Sequence, residues 1–298
     1  MKVLLTGSKG FIGKQLSITL LEEGYEVIGY DIEDGQDILN LKNLEETISV
    51  TDPDFIFHVA AEANLYGMES LEGAKRGIDI NVIGTSNIAL LASKFKKKLI
   101  YASTMCVYGD TQESKLEDTT KPKPQELYAY TKLAGEQLIL GCHKNFDLEY
   151  IILRFATVYG PGQRTALGSS IFLTQALKNE DVTVHGDGTQ RRTLTHIKDI
   201  VQGCLLAVKN FKSGKNQIIN LSSDESISAN QMAEDIIELT QSNSKIKYIP
   251  QRKNQTFHEY TSWVKAFLLL NWSPSFSWKS GIKNTYEWFK NYSTSNSM

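Results

Sequence analysis

Short apolar runs alternate with longer stretches of three-to-four-residue apolar spacing through the first half of the chain. Lys2 to Thr6, Glu26 to Tyr30, Phe55 to Val59, Leu99 to Ala102 and Glu149 to Phe155 are β-rich and largely apolar. They read as strands covered on both faces. Between them, Phe11 to Glu23, Leu41 to Ile48, residues 70 to 97 and Gln125 to His143 carry helical spacing. Strand–helix alternation of this length predicts the α/β class, with right-handed crossovers and a doubly wound parallel sheet.

The second half is less regular. Thr174 to Asn179 and Ile197 to Lys209 have helical character, and Gln217 to Leu221 resembles a strand. Ser228 is placed to cap an amphipathic helix over Asn230 to Thr240, and Ser280 to Asn291 forms a last helix. Lys209 to Lys215 and Asp224-Glu225 read as exposed connections. No internal repeat or low-complexity linker separates the halves.

The first strand runs into Thr6-Gly7-Ser8-Lys9-Gly10-Phe11-Ile12-Gly13 and then at once into a helix. Glycines at 7, 10 and 13 permit a tight turn, close approach of backbone to a pyrophosphate, and close helix–strand packing. The helix start adds unsatisfied N–H groups for an anion. The first spacing is one residue longer than the commonest dinucleotide fingerprint. The second strand ends at Asp31, where a carboxylate suits the ribose hydroxyls of an adenosine and repels a 2′-phosphate. NAD is therefore the expected cofactor, with Lys9 leaving NADP open.

Tyr128 and Lys132 stand four residues apart on a predicted helix, hence on one face. A phenol near pKa 10 is a poor base at neutral pH, and a fixed cation beside it would favour the phenolate. Tyr130 has Ala134, not a lysine, four residues on. Ser103 and Thr104 end the fourth strand, at the edge where open parallel sheets bind ligands. A hydroxyl there could hold the oxygen that the tyrosine deprotonates.

Taken together, these stretches resemble the extended short-chain dehydrogenases/reductases, specifically the nucleotide-sugar epimerase/dehydratase family of the UDP-glucose 4-epimerase type. Asp54 to Ala61, Asn81-Val82-Ile83-Gly84-Thr85, Val107-Tyr108-Gly109, Leu153 to Gly162, Gly186 to Arg192, His196 to Asp199 and Leu270 to Pro274 extend the likeness over nearly the whole chain. The resemblance implies a Rossmann-type sheet domain over 1–157, with a return segment at about 193–221. A smaller C-terminal α/β domain, 158–298, would mainly bind a nucleotide-diphosphate sugar. It implies Thr104, Tyr128 and Lys132 as catalytic hydroxyl, base and helper. Phe11 and Ile12 would offer backbone to the pyrophosphate, Asp31 would hold the ribose, and Asp37-Ile38 the adenine. Ala60 and Ala61 would line the cofactor and Asn81 would hydrogen-bond near it. Arg192 and Arg252 would grip the substrate diphosphate, although the usual Pro-Gly-Asp after the second is Lys253-Asn254-Gln255 here. Thr157 stands where epimerases often carry an Asn that contacts the sugar diphosphate. A homodimer through segments around Ile83 to Phe95 and Tyr130 to His143 follows from the same likeness. His58, Tyr108 and His196 read as packed, structural residues.

Departures narrow the chemistry. Dehydratases of this family resemble one another in an acid at the position of Cys106, and 4,6-dehydratases in an Asp at that of Met105. Elimination is therefore disfavoured. Cys106 could itself serve as a base toward a carbonyl-acidified C–H. The leading expectation is an NAD-dependent epimerase acting by transient oxidation at C4. A 4-ketosugar reductase or another sugar-nucleotide oxidoreductase is the alternative, and a non-catalytic NAD sensor would be expected to lose the Tyr/Lys pair.

Composition adds exclusions. With 32 Lys+Arg against 34 Asp+Glu among 298 residues, the charge gives no reason to expect nucleic acid or an anionic membrane as partner. The best apolar stretch, Phe267 to Leu270, breaks at Asn271, and no signal-peptide pattern precedes Gly7. Cys106, Cys142 and Cys204 have neither disulfide-framework nor zinc-ligand spacing. A cytoplasmic enzyme without a metal is the expectation.

Overall fold

The computed structural model describes residues 1–63, 67–110, 116–251, 258 and 260–295. The first half runs β1 (Lys2–Thr6), α1 (Phe11–Glu22), β2 (Glu26–Tyr30), α2 (Leu41–Thr51), β3 (Phe55–His58), α3 (Leu71–Ile78), α4 (Thr85–Lys94), β4 (Lys98–Thr104), α5 (Leu127–Phe146) and β5 (Tyr150–Phe155). The second half follows as β6 (Thr157–Tyr159), α6 (Gly168–Leu177), β7 (Val182–His185), β8 (Arg191–His196), α7 (Ile197–Lys209), α8 (Phe211–Gly214) and β9 (Gln217–Leu221). It closes with β10 (Ser226–Ser228), α9 (Ala229–Thr240), β11 (Ile246–Ile249), α10 (Val264–Leu270) and α11 (Trp278–Ser295).

Six strands form one sheet in the order β2-β1-β3-β4-β5-β9, every neighbouring pair parallel. Such a sheet must be covered on both faces. Leu16 and Leu20 of α1 and Ile200, Cys204 and Val208 of α7 cover one face, joined by Trp272. Leu44 and Ile48 of α2, Ile88 and Leu91 of α4, and Ile139 of α5 cover the other. The strand order reverses direction between β1 and β3, and ligand crevices in open parallel sheets form at that switch.

The second lobe has its own core. Leu173 of α6, Val182 and Val184 of β7, Ile236 of α9, and Trp278 and Ile282 of α11 pack together. Its strands are short: β8 lies between β10, antiparallel, and β6, parallel, while β7 pairs with β11 in parallel. Ser228 caps α9 through the Gln231 N–H at 3.1 Å, as its position in the sequence predicts.

Three expectations are corrected. The stretch 70–97 is not one helix: α3 gives way to a π-helical segment at Asp79–Gly84 before α4. Lys209 to Lys215 is not merely an exposed connection, because it contains α8, whose Phe211 is buried against Phe55. The helix expected at Thr174 to Asn179 is α6, ending at Leu177 but starting earlier, at Gly168. The strands β6, β7, β8, β10 and β11 had no distinct apolar pattern to announce them.

Candidate active site

Backbone packing fixes the turn after β1. Gly7 has φ +70°, and a Cβ on it would stand 2.7 Å from the Ala60 nitrogen. At Gly13, a Cβ would stand 1.9 Å from the Gly7 carbonyl oxygen. Only hydrogen fits at either place. This brings the start of α1 onto the turn and directs its free N–H groups to the switch point. Asp31, nearly buried, accepts from Lys9 N at 2.9 Å and from Glu33 N at 3.0 Å. Its carboxylate thus ties the end of β2 to the turn. Lys9 pairs through its ammonium with Asp34, which occupies the charge considered for a 2′-phosphate.

Gly7, Gly10, Phe11, Ile12, Gly13, Asp31, Asp37, Ile38, Ala60 and Ala61 all line one cleft of about 1280 Å³. The same cleft runs on past Thr104, Tyr128 and Lys132 to Thr157 and Arg192. A crevice with a Cβ-free turn, a ribose-height carboxylate and a buried ammonium fits an extended dinucleotide. Asn81, expected beside a cofactor, does not line it. Its side chain accepts from Glu62 N at 2.8 Å and donates to Glu62 O at 2.9 Å and to Thr131 Oγ1 at 3.0 Å. The residue acts on the cleft through Glu62, which does line it, by tying the loop after β3 to α5. Arg252 lies outside the described residues.

Helix α5 brings the reactive side chains together. Ala129 and Thr131 are buried, Tyr130 is 55% exposed, and Tyr128 and Lys132 share the face turned to the cleft. Lys132 is 2% exposed, with its ammonium 4.2 Å from the centre of the Tyr101 ring. Burial pulls its pKa down to about 7, against an upward pull from Glu136. The expected acidification of Tyr128 is corrected by the structure. Burial raises this phenol above its ordinary value, Cys106 adds to the rise, and Arg164 and Thr104 only oppose it. The protein's own groups therefore leave the phenol protonated, because desolvating a phenolate outweighs the nearby cations.

The other predicted assignments divide cleanly. His58 is wholly buried between Thr6 Oγ1 (2.7 Å) and Thr85 Oγ1 (3.0 Å), and burial lowers its pKa to about 3. It is a packed, neutral residue. His196 caps α7 and stacks on Phe276 at 4.1 Å, its pKa held down to about 4 by burial. Tyr108 donates to Asn220 Oδ1 at 3.0 Å beneath the cleft. Trp272 donates to the Asp199 carbonyl at 2.8 Å, and the Asp199 carboxylate accepts from Ser275 and Phe276. The two distal motifs thus hold each other in place.

Sequence reasoning missed two features. Arg164 lines the cleft, reaches the Ala63 carbonyl on the opposite wall, and bears electrostatically on Tyr128. Its signal was visible: a lone arginine directly after Gly160-Pro161-Gly162-Gln163. The second is a buried ion pair behind the helix. Arg154 donates through Nε to Glu136 Oε1 at 2.9 Å and through Nη2 to Oε2 at 2.6 Å. Ser103 Oγ donates to Oε1 at 2.5 Å.

The profile of the NAD dependent epimerase/dehydratase family matches residues 3–222. The UDP-glucuronate 4-epimerase of Thermodesulfobacterium geofontis is 32% identical, over 96% of this chain and 95% of its own. Among solved structures, the Bacillus cereus UDP-glucuronic acid 4-epimerase, in complex with UDP-glucuronic acid and NAD, superposes with a TM-score of 0.91. It is 29% identical, covering 98% of this chain and 100% of its own. The UDP-glucose 4-epimerase of Thermotoga maritima with UDP-glucose also gives 0.91, at 29% identity over 98% and 99% of the two chains.

Proposed function

The chain belongs to the NAD-dependent epimerase/dehydratase family, and on that footing we propose that it inverts C4 of a uridine-diphosphate sugar. The observation that carries the reading is the convergence of Thr104, Tyr128 and Lys132 on the cleft that begins at the Gly7–Gly13 turn. Bound NAD supplies the hydride acceptor and, when oxidised, a positive charge that favours a phenolate nearby. Tyr128 removes the C4 hydroxyl proton and returns it after the ring has turned. Thr104 holds the C4 oxygen, and Lys132 supports the phenolate and holds the nicotinamide ribose. Asp31 holds the adenosine ribose. Arg192 and Arg252 hold the diphosphate, with Thr157 as a further substrate contact there, so binding energy at the nucleotide end anchors a sugar free to rotate. Residues 1–157 with the return at 193–221 form the NAD unit, and 158–298 mainly the sugar-nucleotide unit. Met105 and Cys106 supply no carboxylate for elimination.

Arg164 favours one substrate class within this reading. Its guanidinium bears on Tyr128, where the sugar ring would lie, and a hexuronate carboxylate is its natural counter-ion. Two of the similar proteins act on UDP-glucuronic acid. Incubation with UDP-glucuronic acid and UDP-glucose, read by proton NMR, tests both levels. C4 epimers formed without added cofactor support the epimerase, and faster turnover of the acid supports the uronate. Stoichiometric NADH with no epimer would point to a net oxidoreductase.

The apolar face of α4 and α5 supports a homodimer. Ile83, Leu90, Leu127 and Tyr130 are all exposed, on segments of the kind through which the family commonly pairs. Sedimentation at micromolar concentration checks it; a monomer there would end that part of the proposal.

A further inference from the structure

Glu136 lies one helical turn beyond Lys132 and two beyond Tyr128, so all three occupy the face of α5 turned toward the sheet. Its side chain is 0% exposed and that of its partner Arg154 is 3% exposed. One carboxylate oxygen receives both Arg154 Nε and Ser103 Oγ, the other Arg154 Nη2. Ser103 immediately precedes Thr104 at the end of β4, and Arg154 belongs to the adjacent strand β5, in register with Ser103. The carboxylate therefore joins three elements directly behind the reactive groups.

Folding alone does not call for such a pair. Apolar side chains of similar volume would stabilise this place as well or better, because two charges must be stripped of water. Arg154 Nη1 is even left buried with no hydrogen-bond partner among the described residues. What an acid supplies here, and an apolar side chain would not, is a fixed negative charge one turn from a desolvated ammonium.

We propose that Glu136, clamped by Arg154 and Ser103, is a positioning residue for the reaction. It holds the helix bearing Tyr128 and Lys132 against the strand end bearing Thr104, and it keeps the Lys132 ammonium charged. This inference rests on the assignment of Tyr128 and Lys132 given above. The other groups around Lys132 do not substitute for it. His58 of β3 is neutral, Tyr101 of β4 offers a ring face and a phenol held protonated by burial, and Arg154 of β5 faces the carboxylate rather than the amine. Cys106 and Arg164, from the loops after β4 and β6, act on Tyr128.

The test is the pH dependence of kcat/KM. Glu136→Gln removes the charge and keeps the shape. Both limbs of the profile should then move to lower pH by about one unit, the scale of one nearby charge. Glu136→Asp keeps the charge and spoils the clamp, so kcat should fall about tenfold with the limbs in place. Ser103→Ala should lower kcat by a smaller factor, with an unchanged profile and unchanged KM for the nucleotide sugar. If Glu136→Gln does not fold, the neutral pair Glu136→Gln/Arg154→Gln takes its place, with a smaller shift in the same direction expected because losing the guanidinium, which faces the carboxylate rather than the amine, partly offsets it. A profile superimposable on the wild type, or an Asp variant displaced as far as the Gln variant, overturns the inference. Full activity in Tyr128→Phe overturns the catalytic assignment and this inference with it. Loss of activity there with an unmoved Gln profile overturns the inference alone.

Discussion

The turn at Gly7–Gly13 and the inner face of α5 line one cleft and are built by opposite means. The turn excludes side chains: two of its glycines have no room for a methyl group, and backbone N–H groups are what it offers. The face of α5 concentrates side chains, burying a phenol, an ammonium and a carboxylate at one-turn intervals. The first arrangement is insensitive to pH and intolerant of volume. The second tolerates isosteric change and is governed by protons. Binding and chemistry in this cleft should therefore fail independently.

Tyr128→Phe strikes the second region hardest. Removing the proposed general base should lower kcat about a thousandfold, while NAD remains bound through the turn; turnover and the absorbance of retained cofactor read the two halves. Lys132→Met comes next, with effects of opposite sign on activity and stability. In the folded protein the lysine has a pKa of about 7, below the 10.5 of the free side chain. Between those values the unfolded chain carries more protons, so stability rises with pH across the window, and the cost of burial is present in full below about 7. That cost is on the order of 5 kcal/mol. The variant stripped of cofactor should thus unfold at higher urea than wild type at pH 6 to 7, with the advantage shrinking toward pH 10, while turnover is lost.

Gly13→Ala tests the other region. Its methyl group would collide with the Gly7 carbonyl, so a loss of about 1–3 kcal/mol in stability is expected, with NAD released on gel filtration and no shift in the pH profile of the residual activity. The smallest effect is expected from Asp31→Asn. The amide oxygen keeps one of the two N–H bonds that the carboxylate accepts, from Lys9 or from Glu33, and the charge that repels a 2′-phosphate is gone. Preference for NAD over NADP should fall about tenfold, equivalent to about 1.4 kcal/mol, read as the ratio of dissociation constants.

The same contrast explains what was legible beforehand. The sheet strands were visible because strands covered on both faces must be apolar throughout, and the turn because its glycine spacing has few other uses. Tyr128 could be told from Tyr130 by helical spacing alone, and their exposure agrees. Glu136 and Arg154 were not legible as a pair, since nothing local says that an acid on α5 will meet an arginine 18 residues later on β5. Nor was the acidity of Tyr128, because spacing reports proximity to a cation but not the cost of leaving water. The break in the 70–97 helix contains Asn81, whose side-chain bonds to Glu62 and Thr131 reach distant segments that helical spacing does not report. The second-lobe strands escaped notice because three to six residues, such as Arg191-Arg192-Thr193-Leu194-Thr195-His196, give no stable period of two.

Only Ala156 stands between the end of β5 and the start of β6, and its N–H donates to the Leu221 carbonyl where β9 leaves the sheet, at 3.1 Å. Ala156 also lines the cleft, so this crossing between the two cores lies in the wall of the cleft itself. Any rocking of the outer lobe opens or narrows the space above Thr104 and Tyr128 with almost no lever arm lost to an intervening tether. Substitutions far out on the α6–α9 side would then register as altered substrate residence, long before they touched a reacting atom.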